Sequence, residues 1–80
     1  MKRSAFDDLI SQTQSVFEEC QKKFYEADQK YRECNTDYDR AAKQLIKDIH
    51  FHRQDIVFCA LNSLILAKNI LDKFCYLEED

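Results

Sequence analysis

The sequence predicts an all-α protein folded as an antiparallel helical hairpin of two long helices, on three observations. The chain has 80 residues with no glycine and no proline, so it lacks the residues that make tight turns and break helices. Apolar residues recur every three or four positions almost from end to end, which is the spacing of one helix face. Only one short cluster of turn-forming residues, near the middle, interrupts this pattern. We therefore expect a single hairpin domain over residues 1–80.

The first helix is predicted at about residues 4–34. Its apolar residues form two series at intervals of seven that interleave at three and four, as the a and d positions of a heptad do. Both series continue beyond this helix: the larger is Phe17, Phe24, Tyr31, Tyr38 and Leu45, and the smaller is Thr13, Cys20, Ala27, Cys34 and Ala41. Ser4 is the expected N-cap, with Asp7 and Asp8 in the first turn.

Asn35 and Thr36 are predicted to form the turn. Asn35 tolerates the left-handed conformation that ends many helices. Thr36 is a suitable N-cap for the next helix, with Asp37 and Asp39 in its first turn. The heptad keeps its phase across this cluster, so a single long coiled-coil helix is the main alternative. A second break near Asn62 would instead give three helices.

The second helix is predicted at about residues 37–77, and it carries more apolar residues than one neighbour covers. A first stripe continues the heptad and is assigned to the contact within the hairpin: Phe17, Cys20, Phe24, Ala27, Tyr31, Leu45, Ile49, His52 and Ile56. A second face is assigned to a protein partner: Val57, Phe58, Leu61, Leu64, Ile65 and Leu71. Helices that are apolar on several sides are usually buried on several sides. The partner is expected to be a second copy, completing a four-helix bundle by dimerisation, or a larger helical protein.

Charge and hydropathy argue against two classes of partner. The net charge is −3 and the cations are scattered, whereas a nucleic-acid surface needs clustered lysine and arginine. We therefore expect no nucleic-acid binding. The longest apolar run, residues 56–67, is shorter than the roughly 20 residues that span a bilayer. The first residues also lack the apolar core of a signal peptide, so no membrane association is expected.

Catalytic residue patterns are also missing from the sequence. A chain without glycine has no phosphate-binding loop, and a helical hairpin has few of the loops on which catalytic groups usually lie. We expect no enzymatic activity, no small-molecule substrate, no cofactor and no metal. Asp48, His52 and Asp55 share a helical face and would form at most a weak metal site. The alternative function is a small regulator of transcription or signalling, including a histidine phosphotransfer-like four-helix bundle with His50 or His52 as acceptor.

The four cysteines are Cys20, Cys34, Cys59 and Cys75. They form no metal-binding motif. The pairs Cys20–Cys59 and Cys34–Cys75 would need different registers of the hairpin, so at most one of these two bridges is conceivable. Buried, reduced cysteines are the expectation, which predicts an intracellular, reducing compartment, cytoplasmic or nuclear. The predicted function is a non-enzymatic protein–protein interaction module: an assembly subunit, an adaptor or a small inhibitor of a larger protein.

Overall fold

The computed structural model describes residues 2–78, which form two helices. Helix α1 is Arg3–Arg32 and helix α2 is Asp37–Lys73. They lie side by side in a body that extends 58 × 16 × 12 Å, so the molecule is an elongated helical hairpin. The predicted all-α class is confirmed. The single-helix alternative is wrong because the chain reverses after α1, and the three-helix alternative is wrong because α2 continues unbroken past residue 62.

Cross-helix contacts fix the antiparallel register of the hairpin. Ion pairs join Arg3 to Asp72, Lys68 to Asp7 and Lys47 to Asp28. Aromatic rings meet at Phe17 with Phe58, centroids 5.5 Å apart, and at Phe24 with Phe51, centroids 5.7 Å apart. In all five pairs the two residue numbers have the same sum, as an antiparallel pairing without slippage requires. The helices therefore pair along nearly the whole length of α1.

The turn between the helices is stabilised by an N-cap. Thr36 precedes α2, and its hydroxyl accepts a hydrogen bond from the backbone N–H of Asp39 at 3.2 Å. Asp37 and Asp39 lie in the first turn of α2, at the positive end of the helix dipole. These features agree with the sequence analysis. The predicted left-handed Asn35 is wrong, because no residue of the turn has a positive φ, and α1 ends two residues earlier than predicted.

Cys34 is buried in this turn. Its thiol donates to the carbonyl oxygen of Lys30 at 3.2 Å, and its own carbonyl oxygen accepts from the Arg40 guanidinium at 3.5 Å. Burial raises the pKa of the Cys34 thiol, and the nearby Asp39 carboxylate raises it further. A thiol with a raised pKa is a poor nucleophile, so Cys34 acts as a small packing residue at the end of the hairpin.

The start of α1 differs from the prediction. Lys2 occupies the N-cap position and makes no side-chain capping hydrogen bond, Ser4 lies inside the helix, and the first turn contains no acidic residue. The C-terminal segment instead provides a hydrogen-bond acceptor for a backbone N–H at the start of α1. The backbone N–H of Arg3 donates to the carbonyl oxygen of Glu78 at 3.0 Å, and Lys2 forms an isolated β-bridge with Glu78. The C-terminal segment therefore returns to the start of α1.

The end of α2 makes this return possible. The N–H of Tyr76 donates to the carbonyl oxygen of Leu71 at 2.9 Å, and the N–H of Cys75 donates to that of Asp72 at 3.1 Å, which is a Schellman motif. Cys75, with φ of 60°, stands where glycine is usual. The helix thus ends at Lys73, before the predicted boundary at 77. Leu77 is buried, so the segment after α2 packs against the hairpin.

Replacing Cys75 by glycine tests this motif. A residue with a Cβ atom costs about 1 kcal/mol in the left-handed conformation, and glycine avoids this cost. We expect Cys75→Gly to raise the free energy of unfolding by about 1 kcal/mol, measured by urea denaturation under reducing conditions and far-UV circular dichroism. Cys75→Ala is the matched control and should differ little from the natural chain. Equal stability of the glycine and alanine variants would contradict the assignment.

Candidate protein interface

The contact between the helices, which we call the seam, follows a heptad on both of them. On α1 its residues are Phe6, Ile10, Thr13, Phe17, Cys20, Phe24, Ala27 and Tyr31. On α2 they are Lys43, Lys47, His50, Gln54, Val57, Leu61, Leu64, Lys68 and Leu71. All are buried or half-buried. The α1 side agrees with the two interleaved series predicted from the sequence.

The α2 side of the predicted seam is wrong. Tyr38, Leu45, Ile49 and Ile56 are 88%, 64%, 53% and 68% exposed, and His52 is exposed as well. The prediction carried the heptad phase of α1 across the turn. The turn in fact orients α2 so that a different stripe faces α1. The apolar residues assigned to the inside of the hairpin therefore lie outside it.

The six residues predicted to bind a partner are divided between the seam and its edge. Four belong to the seam, where they are buried or half-buried: Val57, Leu61, Leu64 and Leu71. Phe58 and Ile65 lie at the edge of the seam and are 46% and 40% exposed. Of these two, Phe58 also contacts the Phe17 ring of α1. Most of the predicted surface is thus used within the hairpin itself.

An exposed apolar stripe lies on the side of α2 that faces away from α1. We name it the outer stripe, and its members are Leu45, Ile49, His52, Ile56, Cys59, Ser63, Leu66 and Ile70. They follow one another at alternating intervals of four and three residues, which is a second complete heptad pattern. Exposure of the five large aliphatic members ranges from 47% at Ile70 to 68% at Ile56. Within residues 2–78, this stripe is the longest regular apolar feature that faces solvent.

The part of the seam nearest the turn is polar on α2, and α1 compensates its charge. The Lys47 ammonium lies 2.8 Å from the Asp28 carboxylate and 4.9 Å from the centre of the Tyr31 ring. Arg32 also pairs with Asp28, at 3.1 Å. The hydrogen bond from Lys47 is the main cause that lowers the pKa of Asp28, against the opposing effect of burial, and Arg32 adds to the lowering. Lysine at a seam position is therefore tolerated here.

Gln54 is a seam residue without such compensation. Its Oε1 atom is buried and finds no hydrogen-bond partner among the described residues. It borders a shallow groove lined by the Phe17, Phe51 and Phe58 rings and by Asp55. An unpaired buried acceptor costs free energy, so the middle of the seam is less stable than its length suggests.

The histidines and cysteines do not converge on a common site. His50 lies on the seam and His52 on the outer stripe. Over residues 2–78, no group of three or more His, Cys, Asp or Glu side chains is arranged to hold a metal ion. All four cysteines are free, but the expectation that they are buried is wrong for Cys59 and Cys75, which are exposed, whereas Cys34 is buried and Cys20 half-buried. Cys20 lies on the seam and Cys59 on the outer stripe, so these two thiols face different sides of α1 and α2 and no bridge joins them.

Helix α2 also has the length and composition of a membrane-spanning helix. An 18-residue window within Asp37–Lys73 has a mean hydropathy of 1.3, and only 6% of that window is buried. The expectation of no membrane association, which rests on the shorter apolar run at residues 56–67, stays a prediction. A lipid surface is therefore an alternative to a protein as the partner that covers the exposed outer stripe.

Comparison with known proteins identifies no relative. No family model matches the chain, and no curated protein and no solved structure matches it.

Removing Lys47 tests the charge pairing in the seam. Because the folded pKa of Asp28 lies below its ordinary value of 3.8, its ionised form contributes stability that is complete above that value. This stability is lost as the pH falls through the lower, folded pKa. We expect Lys47→Met to raise the pKa of Asp28, measured by NMR titration of its carboxyl carbon. Arg32→Met should raise it less. An unchanged pKa in Lys47→Met would contradict the pairing.

Replacing Gln54 tests the unpaired acceptor. Leucine fills a similar volume without a polar atom, so Gln54→Leu should raise the free energy of unfolding by about 1–3 kcal/mol. The matched control is Gln44→Leu, because Gln44 is also half-buried but donates to Asp48 at 2.8 Å. We expect no comparable gain from the control in urea denaturation. Destabilisation by Gln54→Leu would show that its side chain is satisfied in solution.

Proposed function

We propose that this chain is a non-enzymatic protein–protein interaction module, an assembly subunit, adaptor or small inhibitor, that binds through the outer stripe of α2. One observation carries the proposal: five large aliphatic side chains at heptad spacing are exposed on a face that the hairpin leaves open. Monomeric proteins rarely expose contiguous apolar patches of more than a few hundred Å². Covering this face with another protein would remove it from water.

The proposed surface differs from the one predicted from the sequence. Leu61 is 5% exposed and packs within the hairpin, so it is not available to a partner in this conformation. Binding is assigned instead to the aliphatic members of the outer stripe: Leu45, Ile49, Ile56, Leu66 and Ile70. Phe58 and Ile65, which are exposed at the edge of the seam, would lie at the border of such an interface.

Charge supports a protein partner over a nucleic acid. The chain carries a net charge of −3, and two lysines of α2 are engaged with α1: Lys47 pairs with Asp28, and Lys68 pairs with Asp7. Lysines neutralised in this way do not attract phosphates strongly. The four free cysteines suit the reducing, intracellular compartment that we expect for this module.

Charge also supports a protein partner over a lipid surface. Helices that lie on membranes usually carry many lysines and arginines on the polar face, whereas the outer stripe is flanked by Asp48 and Asp55 on one edge and by Arg53 on the other. Insertion of α2 across a bilayer would require separating it from α1 or burying α1 as well. The ion pair from Lys68 to Asp7 and the pair from Lys47 to Asp28 oppose this separation. These features favour a protein over a lipid surface as the partner that binds the outer stripe.

Site-specific photo-crosslinking tests the proposed function. A photoreactive phenylalanine analogue is placed at Ile56, at the centre of the outer stripe, in cells that make the protein. The matched control position is Tyr25, which is 62% exposed on the outer side of α1. We expect irradiation to join the Ile56 variant to a protein of discrete mass and to leave the Tyr25 variant unmodified. Adducts with lipid alone, or equal adducts from both positions, would contradict the proposal.

A further inference from the structure

We infer that the occupant of the outer stripe is a second copy of this chain, bound antiparallel about a two-fold axis that passes between residues 57 and 58 of α2. This inference rests on the proposed function and names its partner. The four helices would lie in the order α1, α2, α2, α1, with the two copies of α2 in contact at the centre.

The spacing of the outer stripe indicates that a helix covers it. Alternation of three and four residues lets each side chain fit between four side chains of a facing helix. The complementary surface is another stripe of the same kind. The exposed large apolar residues of α1, Leu9, Val16 and Tyr25, do not make two interleaved series. The outer stripe of a second copy does, and an interface between identical patches is the usual arrangement in homodimers.

One antiparallel register pairs like with like in every layer of the outer stripe. The layers pair Leu45 with Ile70, Ile49 with Leu66, His52 with Ser63, and Ile56 with Cys59, and symmetry repeats each of them. Three layers are apolar, and the fourth brings an imidazole to a hydroxyl, which is a donor and acceptor pair. A shift of one heptad in either direction sets His52 against an isoleucine. The polar layer therefore selects this register.

The charges that flank the outer stripe are compatible with the same register. On one edge, Asp48 comes opposite Asn69 of the other copy, and Asp55 comes opposite Asn62. Each carboxylate thus meets an amide that is able to donate a hydrogen bond to it. On the other edge, Arg53 comes opposite Ala60. No like charges face each other across the interface.

A parallel arrangement is less favourable. It gains an ion pair between Asp48 and Arg53 of the other copy. However, it places His52 opposite His52 of the other copy. It also brings the acidic first turns of α2, with Asp37 and Asp39, close to each other, where their charges repel. The antiparallel arrangement separates these turns and opposes the two helix dipoles.

The available area reaches the small end of the range for specific interfaces. The five large aliphatic members expose about half to two thirds of their surface, which is on the order of 100 Å² each. Two copies together would bury on the order of 1,000 Å² from these residues alone, the size at which specific interfaces begin. Because the outer stripe and the seam lie on opposite sides of α2, the dimer is a flat layer of four helices instead of a closed four-helix bundle.

Disulfide mapping tests both the partner and the register. The first protein keeps Cys59 and carries Cys20→Ala, Cys34→Ala and Cys75→Ser. The second carries the same changes with Cys59→Ser and Ile56→Cys, plus an affinity tag. We expect mild oxidation of an equimolar mixture to give a cross-linked heterodimer at least tenfold in excess of either homodimer. Circular dichroism checks that these variants fold. If the replacements at Cys20 and Cys34 prevent folding, a second pair of proteins that retains both cysteines is used.

A matched control places the cysteine at the outer side of α1, by Tyr25→Cys in the same background, and should give no cross-link. Efficient homodimer cross-linking of each protein by itself would show a parallel pairing and overturn the register. No cross-link in any mixture of folded proteins would overturn the second copy as partner. Binding of a monomeric chain to vesicles of phosphatidylcholine and phosphatidylglycerol would do the same. In either case, a protein adduct at Ile56 in cells would leave the proposed function standing with a different partner.

Discussion

A hairpin of two helices covers one face of each helix, and this constraint governs the rest of the structure. Helix α2 has apolar side chains on two opposite sides, and α1 packs against only one of them. Leu61 on the seam is 5% exposed, whereas Ile56, a short distance along the same helix, is 68% exposed. The exposed stripe is therefore a direct consequence of the fold, and the proposed interaction follows from it.

Specific pairs decide which face of α2 packs against α1. The outer stripe is more apolar near the turn, yet the face that carries Lys47 packs inward. Asp28 neutralises this lysine, and Tyr31 lies beneath its ammonium, so burying it costs little. Farther along, Phe17 meets Phe58 at the edge of the seam. Charge matching and ring contacts thus compensate for the loss of apolar burial, and the more apolar face remains available for association.

The sequence predicts α1 well and α2 only in part. On α1, Phe17 and Cys20 belong to two interleaved series that define a single buried face. Thr36 is recognisable from the sequence as the N-cap of α2. On α2, two stripes have the same period, so periodicity does not distinguish them. The phase is set by the backbone of the turn, which propensities do not specify. Likewise, Cys75 adopts a conformation typical of glycine, and no local signal in a chain without glycine marks that helix end.

The solution mass tests the central claim, that a second copy covers the outer stripe, most directly. Multi-angle light scattering under reducing conditions and over a range of concentrations should give twice the chain mass of 9.6 kDa. The double variant Ile49→Glu with Ile56→Glu should give the single-chain mass with unchanged helical content, and Tyr25→Glu should remain dimeric. A natural chain that stays at 9.6 kDa at every concentration, or a double variant that still dimerises, would contradict the account.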